Sequence, residues 1–171
     1  MKFERIHIIG PAGCGKTTLA QAFAQTNFAA NIELDHIYYT DIARRERRES
    51  NQRHTLLTEA IRSERWVCEG IFWHAWIDQV MQQADQIVLL NLPRRTLHYR
   101  VITRHFRYLS QAKLADLPTF FPTLIELCRH NHRYKYTFLP ETMARLTPYE
   151  EKLAICETTE DAMKLMGLGR C

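Results

Sequence analysis

Short apolar runs alternate with stretches of helical period along most of this chain. Phe3 to Ile9 alternates and then turns fully apolar, as a buried strand does. Gln86 to Leu92 is the strongest apolar run and reads as a central strand. Asn31–Leu34, Arg65–Cys68 and Lys152–Cys156 are shorter runs that predict three further strands. Between them the spacing predicts helices: Ala-rich Thr18–Gln25, about Asn51–Glu64 around Leu57, Ala60 and Ile61, and Ile71–Ala84 around Trp73, Trp76, Ile77 and Val80. A long basic helix starts at Pro93, another lies near Phe121–Tyr136, and Thr158 or Thr159 can cap a last one ending near Gly167. Asp41–Ser50 is a charged stretch, and the link around Pro140 and Pro148 is poorly patterned. Leu109–Pro122, with two prolines and mixed polarity, reads as a loop or lid insertion. Strands alternating with helices predict an α/β fold, a mostly parallel sheet covered on both faces, with ligands at the carboxyl ends of its strands.

At the first of those ends stands Gly10-Pro-Ala-Gly-Cys-Gly-Lys-Thr17, which fits the phosphate-loop pattern G-x-x-x-x-G-K-[ST] in the strand–loop–helix context it requires. Gly10, Gly13 and Gly15 let backbone N–H groups turn inward around a polyphosphate, and the helix that follows presents its N-terminus to the same anion. Lys16 can reach the β- and γ-phosphates, and the Thr17 hydroxyl can ligate Mg²⁺. Pro11, Ala12, Cys14 and Thr18 complete the expected nucleotide-binding segment. Cys14 is either oxidation-sensitive at a helix N-terminus or a small filler residue.

At 171 residues the chain reads as one domain with room for a sizeable core. A net charge of +4 suits an anionic ligand and falls short of a nucleic-acid footprint. Five scattered cysteines with no C-x-x-C argue against a disulfide framework or structural zinc and for a reducing cytosol. No apolar run reaches membrane-spanning length, and the start of the chain shows no signal peptide, so a cytoplasmic protein is expected.

In the basic helix Arg100, Arg104 and Arg107 follow i, i+4, i+7 and share a face. Beside a polyphosphate, such a row neutralises charge as a γ-phosphoryl group transfers; in isolation it would be a solvated face. Arg129 and Arg133 could add charge from beyond the lid. Asp35, at the end of the second strand, could orient Mg²⁺, accept a proton from an acceptor hydroxyl, or merely cap a helix. His130-x-His132 lacks partners at metal-ligand spacing, while Phe72 and Trp73 adjoin Glu69-Gly70 and could face an acceptor.

Ile8–Leu19, Glu33–Tyr38, Trp66–Gly70, Ile87–Pro93 and the arginine helix occur in the order found in small P-loop kinases. The chain resembles the adenylate and shikimate kinase group, and more narrowly the adenylate-kinase-like bacterial DNA topology modulation proteins. The resemblance covers the chain to about residue 107. It implies a three-layer α/β/α P-loop domain over residues 1–171, with five parallel strands ordered 2-3-1-4-5, an acceptor side at about 36–65 and a lid at about 108–136 after strand four. It also implies Arg100 stacked on adenine, Arg104 on phosphates, and the turn near Thr158 at the adenine edge. Glu69-Gly70 stands where the family has Asp-Gly, so that Glu69 would hold a Mg²⁺-bound water with one extra methylene of reach. Asn91 replaces an Asp at the end of strand four, and Ile71-Phe-Trp-His-Ala replaces the segment whose arginine greets AMP.

The first expectation is therefore an ATP- and Mg²⁺-dependent kinase acting on a small-molecule acceptor, a nucleotide among the possibilities, with Lys16, Asp35, Arg104 and Arg107 catalytic. The alternative is a non-catalytic or regulatory ATP-binding protein linked to DNA topology modulation. The altered acceptor side, Asn91 and the basic helix motivate it, although no helix-turn-helix or other DNA-reading motif is evident.

Overall fold

The computed structural model describes residues 3–42, 45–72, 75–109 and 117–169, with the backbone alone at 108, 109 and 117–120. Five strands form an all-parallel sheet: β1 (Arg5–Ile9), β2 (Ala30–Glu33), β5 (Trp66–Glu69), β6 (Gln86–Leu90) and β7 (Leu153–Cys156). Their spatial order is β2-β5-β1-β6-β7, which is 2-3-1-4-5 counted along the chain.

Alternation along the strands sorts side chains to two faces. Ile6, Ile8, Val67, Val88 and Leu90 pack on one face against α1 (Lys16–Asn27), the start of α5 (Arg94–Leu109) and α8 (Thr159–Leu165). Ile9, Cys68, Ile87 and Leu89 pack on the other against α2 (Leu34–Tyr38), α3 (Ser50–Ala60), α4 (Asp78–Gln83) and α7 (Leu139–Leu146). The result is three layers. Each fully buried Ile, Leu or Phe contributes roughly 1.5–3 kcal/mol, so the central strands anchor the fold. His7 is buried within β1; its Nδ1–H donates to the Cys68 carbonyl at 3.0 Å, and burial lowers its pKa to about 4.

Several expectations needed correction. The Asp41–Ser50 stretch is partly folded as a two-stranded antiparallel ribbon, β3 (Tyr39–Asp41) with β4 (Glu46–Arg47). Residues 43 and 44 lie outside the described ones. The helix expected over Ile71–Ala84 is shorter: Ile71 and Phe72 are not helical, a 3-10 turn covers Ala75–Ile77, and α4 follows. Phe72 instead stacks on the Tyr38 ring at 4.6 Å, and that contact competes with helix formation. Trp73 lies outside the described residues, so its expected roles do too.

The proline-bearing segments are more helical than their composition predicts. In α6 (Leu117–Arg133) Pro122 lies inside the helix, beyond its first turn, where it has no N–H to donate to the carbonyl four residues back. Pro140 stands in the first turn of α7, where proline's fixed φ suits a helical backbone. A π-helical turn, Tyr134–Phe138, joins α6 to α7. Of the loop expected at Leu109–Pro122, residues 110–116 lie outside the described ones.

Candidate nucleotide and acceptor site

Strand register brings the site together. Ile8 pairs with Glu69, and the Gly70 N–H donates to the Ile8 carbonyl at 3.2 Å, so the loop opening at Gly10 begins beside Glu69. Glu33 pairs with Glu69 on the other side, which places Asp35 at the same end of the sheet. Leu90 pairs with Cys156, setting Thr158 and Thr159 beside the start of α5.

Gly10–Gly15 forms the loop and Lys16 opens α1, with Gly15 as N-cap at φ 99°. Gly13 shows why the loop tolerates no side chain there. Its φ is +79°, and an added Cβ would sit 2.8 Å from Val101 Cγ2, because α5 lies flush on the loop. Pro11 and Cys14 are buried, Ala12 is half-buried, and Thr17 and Thr18 are exposed at the first turn of α1.

Lys16 Nζ donates to the Pro11 carbonyl at 3.2 Å, folded back over its own loop. The Thr17 hydroxyl donates to Glu69 Oε1 at 2.6 Å. Burial raises the Glu69 pKa; Lys16 and the Thr17 bond oppose the rise, and Glu33 and Asp35 add to it. Gly70, with φ +145°, lets Leu34 pack against this turn, since a Cβ there would lie 2.7 Å from Leu34 Cβ.

From the basic helix Arg100 reaches the loop. Its Nη1 donates to the Cys14 carbonyl at 3.3 Å and its Nη2 to the Thr159 hydroxyl at 3.2 Å. Arg104 and Arg107 lie one and two turns further on and are exposed, as are Arg129 and Arg133 on α6. Thr158 is the N-cap of α8: its hydroxyl accepts from the Asp161 N–H at 3.1 Å and donates to the Asp161 carboxylate at 2.6 Å. Asp35 is exposed in the first turn of α2, and His36 lies 3.4 Å from Glu33.

Three residues of the site escaped the sequence reading. Thr159 is the partner of Arg100, one position from the threonine expected there. Arg53, on α3, holds its guanidinium 4.6 Å from the centre of the Tyr38 ring, in an aromatic wall completed by Phe72 and Trp76. Its buried Nε has no hydrogen-bond partner among the described residues. Asn131 donates to the Ala12 carbonyl at 3.0 Å. A cationic position on a helix facing an apolar run was the available signal for Arg53; nothing in the pattern marked Asn131.

Among the described residues no three His, Cys, Asp or Glu side chains gather as a metal cage. One buried carboxylate bonded to a loop hydroxyl is nevertheless the donor set that fits Mg²⁺, an ion that retains several waters and takes phosphate oxygens as ligands. No helix among the described residues is long and apolar enough to cross a membrane.

The phosphate-loop motif at the end of β1, the parallel sheet in this order and the helices on both faces define a three-layer α/β fold. No protein-family model matches the chain. It is 26% identical over 112 residues to the uncharacterized protein YqaC of Bacillus subtilis (strain 168), covering 66% of this chain and 62% of that protein. It is 28% identical over 95 residues to an adenylate kinase of Encephalitozoon cuniculi (strain GB-M1), covering 56% of this chain and 50% of that one. The matches thus span 62% and 50% of the length of these curated relatives. Among solved structures, a shikimate kinase from Acinetobacter baumannii in complex with shikimate superposes with a TM-score of 0.42 at 20% identity, covering 75% of this chain and 79% of that one. A gluconokinase from Sinorhizobium meliloti 1021 gives 0.44 at 18% identity, with 74% and 76% covered.

Proposed function

We propose that the protein is an ATP-dependent phosphotransferase that moves the γ-phosphoryl group to the hydroxyl of a small-molecule acceptor, a nucleotide among the candidates. The observation that carries this reading is the 2.6 Å bond between Thr17 of the phosphate loop and the buried Glu69 carboxylate, beside a loop whose lysine folds onto the Pro11 carbonyl.

The loop amides and Lys16 hold the β- and γ-phosphates, Lys16 leaving the Pro11 carbonyl to do so. Thr17 and Glu69, with Asp35 nearby, would hold Mg²⁺, which when bound neutralises phosphate charge. Arg100 and the turn carrying Thr158 and Thr159 flank the base side. Arg104 and Arg107 supply positive charge as the bond from the γ-phosphorus to the β-phosphate oxygen breaks. A bond from the acceptor oxygen to phosphorus forms, and the acceptor's proton passes to the Asp35 carboxylate. The region 36–65 forms the acceptor side. There Arg53, whose Nε lacks a partner among the described residues, would meet an acid group on the acceptor. The segment 108–136 acts as the lid, excluding the water that would otherwise hydrolyse ATP.

The test is a screen of nucleoside monophosphates, small alcohols and acids for stimulation of ADP release. Stimulation by one class supports the kinase and identifies its acceptor. Stimulation by none favours the regulatory ATP-binding alternative linked to DNA topology, for which a steep fall of DNA affinity with salt is the companion measurement.

A further inference from the structure

The phosphate loop is held from a side its motif does not foretell. Asn131, on α6 and 119 positions along the chain from Ala12, donates from Nδ2 to the Ala12 carbonyl at 3.0 Å. A carbonyl only accepts, so the partner fixes which end of the amide faces the loop. The residue is 1% exposed, and its Oδ1 has no hydrogen-bond partner among the described residues. A buried amide that leaves its oxygen unpaired weakens the fold, and such groups call for a reason beyond packing. Its neighbours lie at the same place. Tyr134, nearly one turn on, is buried, and its pKa is raised by burial and then by the nearby Cys14. His130 has its pKa lowered by burial, with Lys16 contributing in the same direction.

The bond falls on the peptide between Ala12 and Gly13. No peptide bond among the described residues is cis, so the Ala12 carbonyl and the Gly13 N–H point in opposite directions. Gly13, with φ +79°, gives this peptide freedom to rotate that other residues would deny it. With the carbonyl held by α6, the Gly13 N–H points away from α6, and amides of such loops are the groups that meet an anion.

We propose that Asn131 is a positioning residue for the terminal phosphate of the bound nucleotide: it locks the Ala12–Gly13 peptide and so ties α6 to whether a triphosphate or a diphosphate is bound. This rests on the reading of the loop as an ATP site.

The test compares binding of ADP and of the non-hydrolysable analogue AMP-PNP, each with Mg²⁺, by calorimetry on the wild type, Asn131→Ala and Asn131→Asp. The alanine variant should weaken AMP-PNP roughly tenfold, the scale of one hydrogen bond to a charged site, and ADP about twofold at most. The aspartate variant keeps the size, loses the donor and adds an anion, and should widen that gap. A merely structural asparagine would weaken both nucleotides alike, and that result overturns the proposal while leaving the ATP site standing. If neither variant folds, hydrogen exchange over 117–133 in the wild type decides. Slower exchange with AMP-PNP than with ADP supports the proposal, and equal exchange overturns it. A wild-type protein that binds neither nucleotide overturns this inference and the ATP reading together.

Discussion

The Thr17 hydroxyl and Glu69 Oε1 meet at 2.6 Å across 52 positions of chain, tying the first turn of α1 to the end of β5. Burial raises the Glu69 pKa, so a carboxylate is kept where its charge is disfavoured, with Lys16 as the main compensation. Glu69→Gln preserves size and an oxygen for Thr17 but removes the charge. ADP release should fall about ten- to a hundredfold, and its dependence on Mg²⁺ should shift to higher concentration. A titration of activity against Mg²⁺ checks this; an unchanged midpoint would show that Glu69 serves packing alone.

Arg100 joins α5 to the loop and to α8 through the Cys14 carbonyl and Thr159. Arg100→Ala should weaken ADP binding roughly tenfold, and Arg100→Lys should recover little of it, because an ammonium cannot span two partners as a planar guanidinium does. Calorimetry on the two variants measures both effects.

Arg53 should act on the other substrate. Its guanidinium rests on Tyr38 and its Nε lacks a partner among the described residues. Arg53→Ala is therefore expected to raise KM for whichever acceptor stimulates ADP release, by about tenfold or more, with little change in ADP affinity. Equal loss of both affinities would place Arg53 in the fold rather than at the acceptor.

Stability should depend on pH through His7. Burial lowers its pKa from 6.5 to about 4, whereas the unfolded chain takes up the proton near 6.5. The unfolded state binds more protons in that window, so stability falls as pH drops from about 6.5 to about 4, by on the order of 3 kcal/mol if His7 acts alone. Urea unfolding of the wild type and His7→Gln across this range checks it; the variant should lose most of the slope.

Much of the frame was legible because it follows from local pattern. The apolar runs at Ile6–Ile9 and Gln86–Leu92 lie within or overlap buried strands, and the phosphate loop stands between a strand and a helix as its motif requires. Where the pattern misled, tertiary contacts or capping overrode composition. Phe72 stacks on the Tyr38 ring outside the expected helix, Pro140 stands at the start of α7 where proline is tolerated, and α6 runs on through Pro122. The contacts of Asn131 with Ala12 and of Arg100 with Thr159 join residues 119 and 59 positions apart, and no local spacing encodes such pairs. Asp35 was expected at the site from its place at the end of a strand and Arg107 from its helical spacing with Arg100 and Arg104; both side chains are exposed, on α2 and α5.

The most direct test of the central claim is ADP release by the wild type and by Lys16→Met, measured with Mg²⁺, ATP and the acceptor that the screen selects. The loop-bound mechanism predicts that the variant loses turnover while remaining folded by circular dichroism. Turnover by Lys16→Met at the wild-type rate would contradict it.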